Sequence, residues 1–206
     1  MICEMFRSIQ GEGAMIGTVT HFIRSSGCNL SCAWCDTKYS SSGGDELSVD
    51  EIMDHVRNDR NICVTGGEPL LQSDICDLLN ALLDSGKKIV LETNGSVDIS
   101  KVPKSESLMI SMDIKCPSSG MSDKMLISNL EHLKVTDQLK FVIADGSDLE
   151  HTVRFIDSHD LRCGVILTPV GGMDIEPLAE EAIERGMNVR VLPQLHKIIW
   201  GDKRAV

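Results

Sequence analysis

The feature that most limits what this chain can fold into is an alternation. Short apolar or β-branched runs fall at 18–24, 62–65, 88–92, 108–112, 139–143, 164–168 and 189–192, and helical patterns at 48–58, 73–85, 122–134, 147–159 and 174–185 lie between them. Strands separated by amphipathic helices are βα units, and βα units build a parallel sheet. In 73–85 the residues Ile75, Leu78, Leu79, Leu82 and Leu83 form one apolar stripe, and Gly86 ends it. Ser48-Val-Asp-Glu51 and Ser147-Asp-Leu-Glu150 read as capping boxes for helices running to about Asn58 and His159. The stretch from Gly95 to Leu108 is too irregular for a helix. The 206 residues are also few for an eight-fold barrel, which takes about 250. The expected fold is therefore α/β, an incomplete, open (βα) barrel with a parallel sheet and some helices trimmed, in a single domain over 1–206. No 20–50-residue repeat or low-complexity tract interrupts it.

A hydrophobic content of 42% allows a sizeable core. No run approaches the roughly 18 apolar residues of a membrane span. Met1 to Arg7 lacks a secretory signal pattern, so the eight cysteines are expected as reduced thiols in the cytoplasm. The net charge of −11, from 31 acidic and 20 basic residues, repels phosphate backbones. Small molecules or proteins are expected as partners, without direct nucleic-acid binding.

Three of the cysteines are grouped: Cys28-Asn-Leu-Ser-Cys32-Ala-Trp-Cys35. Three thiolates can hold three irons of a four-iron, four-sulfur cluster and leave the fourth iron open to a small molecule, whereas the usual cluster runs supply four cysteines. The competing reading is a zinc site completed by His21 or His55, against which stands the lack of a second CxxC pair. Cys3, Cys63, Cys76, Cys116 and Cys163 have no ligand spacing and read as core or surface thiols. The unusual motifs all fall at carboxyl ends of strands, where parallel α/β proteins bind ligands: Arg24, Thr65-Gly66-Gly67-Glu68, Glu92-Thr-Asn-Gly95, Asp113-Ile-Lys115 and Thr168-Pro-Val170-Gly171. Arg24 can fork onto a carboxylate. Gly66 and Gly67 can offer backbone edges, and Glu68 can accept from an ammonium group. From the residues alone, Gln10-Gly11-Glu12-Gly13 reads as a turn and Thr37 as a turn or cap.

The C-x3-C-x2-C run resembles the cluster motif of the radical S-adenosylmethionine (SAM) enzymes. Together with Gln10-Gly-Glu-Gly13 and Cys35-Asp36-Thr37, it is similar to their 7-carboxy-7-deazaguanine synthase family. The resemblance implies a radical-SAM-type barrel with a 4Fe-4S cluster on Cys28, Cys32 and Cys35. SAM would be chelated by the open iron and cleaved to a 5′-deoxyadenosyl radical. It implies SAM contacts from Trp34, Cys35, Asp36, Gly66, Gly67, Glu68, Ser111, Asp113, Lys115, Thr168, Val170 and Gly171, although relatives often carry Ser-Pro-Lys where this chain has Asp113-Ile-Lys115. It implies Mg²⁺ on the Thr37 hydroxyl, completed by substrate. The implied reaction converts 6-carboxy-5,6,7,8-tetrahydropterin to 7-carboxy-7-deazaguanine with loss of ammonia, on the way to the 7-deazapurines queuosine and archaeosine. Substrate contacts would come from Ile9, Gln10, Gly11, Glu12, Arg24, Thr65, His196 and Val206, with no side chain assigned as acid or base. An electron donor such as flavodoxin or ferredoxin and a homodimer are implied too. The alternative is a radical SAM activase that installs a glycyl radical on a partner protein; Gln10–Gly13 and Cys35-Asp36-Thr37 speak against it.

Overall fold

The computed structural model describes residues 1–206. Its eight strands form one sheet in sequence order: β1 (Ile2–Ile9), β2 (Val19–Ser25), β3 (Asn61–Gly66), β4 (Lys88–Thr93), β5 (Leu108–Ile114), β6 (Gln138–Ile143), β7 (Gly164–Pro169) and β8 (Arg190–Val191). All neighbouring pairs are parallel except β1–β2. The helices are α1 (Val49–His55), α2 (Ile75–Asp84), α3 (Gly146–Ser158), α4 (Glu176–Glu184) and α5 (Leu195–Trp200). The parallel sheet is the one expected from the alternation and the trimmed helices those expected from the short chain, and no helix is long and apolar enough to cross a membrane.

Strand alternation divides the side chains into two sets. Outward residues such as Ile23, Leu91, Met112, Leu139 and Leu167 belong to the 28-residue core packed with α1–α4. Phe22, Cys63 and Val90, with Phe6, Met15 and Met109 against them, form a second, smaller cluster, in which Phe6 and Phe22 stack at 5.1 Å.

The structure departs from the sequence reading at four places along the chain. First, Ile2–Ile9 is a strand, β1, antiparallel to β2, where the sequence pattern gives none. Second, 122–134 is not a helix but two 3-10 segments, Ser122–Lys124 and Ile127–His132. The cause is Asn129, fully buried. Its amide donates to the Gly95 and Val97 carbonyls at 3.3 and 2.8 Å and accepts from Ile99 N at 3.2 Å, so the segment is stitched to the irregular stretch after β4. Third, α3 is capped by Asp145, which accepts from Ser147 N and Asp148 N, not by Ser147; the capping box at Ser48 and Glu51 is present as expected. Fourth, 195–200 forms α5, and β8 is only two residues long.

β1 and β8 are not paired, so the barrel is open. The loop between β1 and β2 spans the gap. Gly11 O accepts from Leu195 N at 2.8 Å, Gln194 Nε2 donates to Glu12 at 2.5 Å, and Ala14 N donates to Gln138 Oε1 at 2.8 Å. A side chain at position 11 would run into the His196 ring, its Cβ lying 2.9 Å from Cγ. Any larger residue there would have to displace the His196 side chain.

Candidate active site

A cleft of about 500 Å³ opens at the carboxyl ends of the strands, lined by the cysteine loop, the Gln10–Glu12 loop and the C-terminal residues 201–206. Every residue expected from the sequence to hold the cluster, SAM, Mg²⁺ or substrate lines it except Glu68, Ser111 and Thr168. Glu68 is fully buried and accepts from Leu70 N, Thr93 Oγ1 and Asn94 N at 3.0, 2.9 and 2.6 Å. Burial still keeps its pKa above the ordinary 4.5, against the pull of those hydrogen bonds. Ser111 is buried and accepts from Gln138 Nε2 at 2.7 Å. Thr168 is buried with its hydroxyl lacking a partner.

The cysteine loop follows β2 and is fastened on two sides. On the β3 side, Glu68 N donates to Gly27 O at 2.8 Å and Gly67 N to Ser25 O at 3.2 Å. A Cβ on Gly67 would overlap the Gly27 backbone and sit 2.8 Å from Cys28 Cβ, so the glycine pair lets the loop seat on the end of β3. On the β5 side, Ala33 N donates to Ser119 O at 3.0 Å. Trp34 Nε1 donates to Ser118 Oγ at 3.0 Å, and Ser118 Oγ donates to the buried Asp148 at 2.5 Å. The Lys115 ammonium lies 5.6 Å from the Trp34 ring centroid.

The three thiols suit a cluster. Burial raises the Cys32 thiol, Lys115 opposes it, and the nearby Cys35, Asp113 and Cys28 push it up further. No three His, Cys, Asp or Glu side chains close around one point as a lone ion requires, whereas a cluster takes each thiolate on a different iron. His21, weighed as a zinc ligand, bonds Asp59 through Nδ1 at 2.8 Å. Thr37 Oγ1 sits 3.3 Å from Asp36 Oδ1 and 3.7 Å from Cys35 Sγ, a pair of oxygens that fits a hard cation only if further oxygen ligands arrive.

Deeper in, the cleft is polar and highly charged. Gln10 Nε2 and Thr65 Oγ1 both donate to Glu92, at 3.2 and 2.9 Å. Lys140 pairs with Glu12 and, at 3.3 Å, with Asp113, whose other oxygen takes Lys115 at 2.6 Å. Burial pushes Glu12 and Asp113 up, but the lysines overcome it and both stay below their ordinary values; Lys140 is held well above its own. Arg24 bonds Glu4 through Nε at 2.8 Å. Ser8 Oγ donates to a terminal oxygen of Val206, which brings the chain end to the cleft wall.

Glu92, Lys140, Gln194 and Tyr39 line the cleft as well. Glu92 stood in a strand-end motif that was visible in the sequence. Lys140 carries only the signal of a lone charged residue inside a mainly apolar strand.

A family model described as the Radical SAM superfamily matches residues 22–119. The chain is 41% identical over 204 residues to the 7-carboxy-7-deazaguanine synthase of Thermoplasma acidophilum, covering 98% of both chains. It is 41% identical over 201 residues to that of Methanospirillum hungatei JF-1, covering 96% of this chain and 84% of the relative. The crystal structure of QueE from Escherichia coli matches with a TM-score of 0.78 at 25% identity, over 95% of this chain and 93% of that one. Streptococcus suis SuiB shares the fold, with a TM-score of 0.63 at 15% identity over 82% of this chain and 47% of that one. With its cysteine loop, its open sheet and a similarity running along nearly its whole length, the chain belongs to the 7-carboxy-7-deazaguanine synthase family of the radical SAM superfamily.

Proposed function

We propose that this chain, as one radical SAM domain, is a carbon–nitrogen lyase. It converts 6-carboxy-5,6,7,8-tetrahydropterin to 7-carboxy-7-deazaguanine with release of ammonia, supplying 7-deazapurine synthesis. The observation that carries the reading is the sharing of one cleft by the three-thiol loop and by the amide, carboxylate and guanidinium groups of Gln10, Glu12, Glu92 and Arg24. When bound, the reduced cluster and SAM supply the species that abstracts a hydrogen atom from the pterin. The protein's part is to bind, orient and exclude water.

In this reading Cys28, Cys32 and Cys35 ligate the cluster, and Trp34, Asp36, Gly66, Gly67, Asp113, Lys115, Val170 and Gly171 surround SAM. Arg24 takes the pterin carboxylate. Gln10, Glu12 and Thr65, with the backbone at Ile9 and Gly11, read the amide-like edge and the amino group of the ring, and His196 and Val206 close the pocket. Thr37 gives its hydroxyl to Mg²⁺, which the substrate carboxylate must complete, because one hydroxyl is a weak site by itself. Titration calorimetry should then register Mg²⁺ only when substrate is present; tight binding to the substrate-free protein would contradict this. The enzyme works in the cytoplasm as a homodimer and takes electrons from a flavodoxin or ferredoxin.

Anaerobically reconstituted protein, given SAM, a reductant and the pterin, tests the reading. Formation of 7-carboxy-7-deazaguanine by mass spectrometry is expected, faster with Mg²⁺. An unconsumed pterin would overturn the reading.

A further inference from the structure

We infer that Glu4 is the positioning residue for Arg24: it occupies the guanidinium's Nε so that both terminal nitrogens are presented to a ligand carboxylate. The inference rests on the proposed pairing of Arg24 with the pterin carboxylate and adds the device that aims it.

The two residues face each other across the antiparallel β1–β2 pair. Arg24 Nε donates to Glu4 Oε1 at 2.8 Å, the one hydrogen bond its side chain makes to protein. Arg24 lines the cleft and Glu4 does not, so the carboxylate stands behind the guanidinium. A guanidinium can fork a carboxylate through its Nε–Nη edge or through its Nη–Nη edge. With Nε taken from behind, the remaining fork is the Nη–Nη edge. Arg24 and Glu4 side chains are only 14% and 15% exposed, which keeps water from competing strongly for the pair.

Glu4 is itself held. Its Oε1 also accepts from Tyr39 OH at 2.9 Å, and its Oε2 lies 3.7 Å from an Arg204 nitrogen. The Arg204 guanidinium lies 3.4 Å from the Tyr39 ring centroid. Tyr39 is two residues past Thr37, in the stretch that continues the cysteine loop, and Arg204 is in the terminal segment. One carboxylate thus ties the aim of Arg24 to the loop and to the tail, and loosening it would blunt recognition of a carboxylate specifically.

The test is fluorescence titration of the reconstituted, SAM-loaded enzyme with 6-carboxypterin and with unsubstituted pterin, both stable and fluorescent. The wild type should prefer 6-carboxypterin. Glu4→Gln, which keeps shape and drops charge, should lose about tenfold of that preference, the scale of one charge-assisted hydrogen bond, while its affinity for pterin stays within about twofold. Tyr39→Phe, which removes one hydroxyl and leaves the ring, should lose a smaller part, and carries the test if Glu4→Gln does not fold. The preference persisting unchanged in the variants would overturn the inference alone. A wild type with no preference would overturn the assignment of Arg24, and the inference with it.

Discussion

Lys140 is where most of the buried charge in the cleft converges, on Glu12 and Asp113 at once. Removing one partner from a buried pair leaves an uncompensated charge, at a cost of about 3–5 kcal/mol. Lys140→Met should therefore destabilise the protein by that order in urea denaturation; a change under about 1 kcal/mol would mean the carboxylates are solvated after all. The pH dependence has a definite sign. Glu12 and Asp113 have folded pKa values below their ordinary 4.5 and 3.8, so their stabilisation is complete above the ordinary carboxylate range and fades as pH falls through the folded values. Lys140 is raised above 10.5, so its share is lost only as pH rises beyond that. The stability gap between wild type and Lys140→Met should be flat from about pH 6 to 9 and shrink below about pH 4. Which loops meet at the cleft was largely legible in the sequence. The sequence did not show that Glu12 would be gripped by Lys140 and Gln194, partners more than a hundred residues away that are brought close only by closing the sheet.

The cysteine loop is an element held by its neighbours more than by its own hydrogen bonds. Gly66 and Gly67 were legible as a ligand-approach motif. In the structure Gly67 also makes room for Gly27 and Cys28. Gly67→Ala should push the loop off β3 and lower iron content after reconstitution, with far-UV circular dichroism unchanged; wild-type iron would contradict this. On the other side, Ser118 sits between Asp148 and the Trp34 indole. Ser118→Ala in a Trp200→Phe background should shift Trp34 emission to the red as the indole frees itself, and an unmoved spectrum would remove the clamp. Nothing in the sequence links Trp34 to Ser118 and Asp148, because the link depends on a 3-10 turn, Pro117–Ser119, docking on α3. The helix expected over 122–134 failed for a related reason: local periodicity could not register that Asn129 would be buried and bonded to a distant turn.

At the scale of the whole molecule, the βα alternation was enough to read a parallel sheet, since period-2 apolar runs and helical stripes are local signals, and the short chain was enough to read it as open. The antiparallel β1 was not read, because Ile2–Ile9 mixes charged and apolar residues and gains its stability from pairing with β2 and stacking Phe6 on Phe22. The unpaired edges at β1 and β8 are only bridged by a loop, and exposed edges favour covering by another chain. Sedimentation should find a dimer at micromolar concentration; a monomer would contradict the proposed assembly. The three thiols at the cleft mouth, with one iron left for SAM, are the point on which all else depends. The electron paramagnetic resonance spectrum of the dithionite-reduced, reconstituted protein tests it most directly. Adding SAM should shift the g-values as the cofactor chelates the open iron, and a spectrum indifferent to SAM would contradict the account.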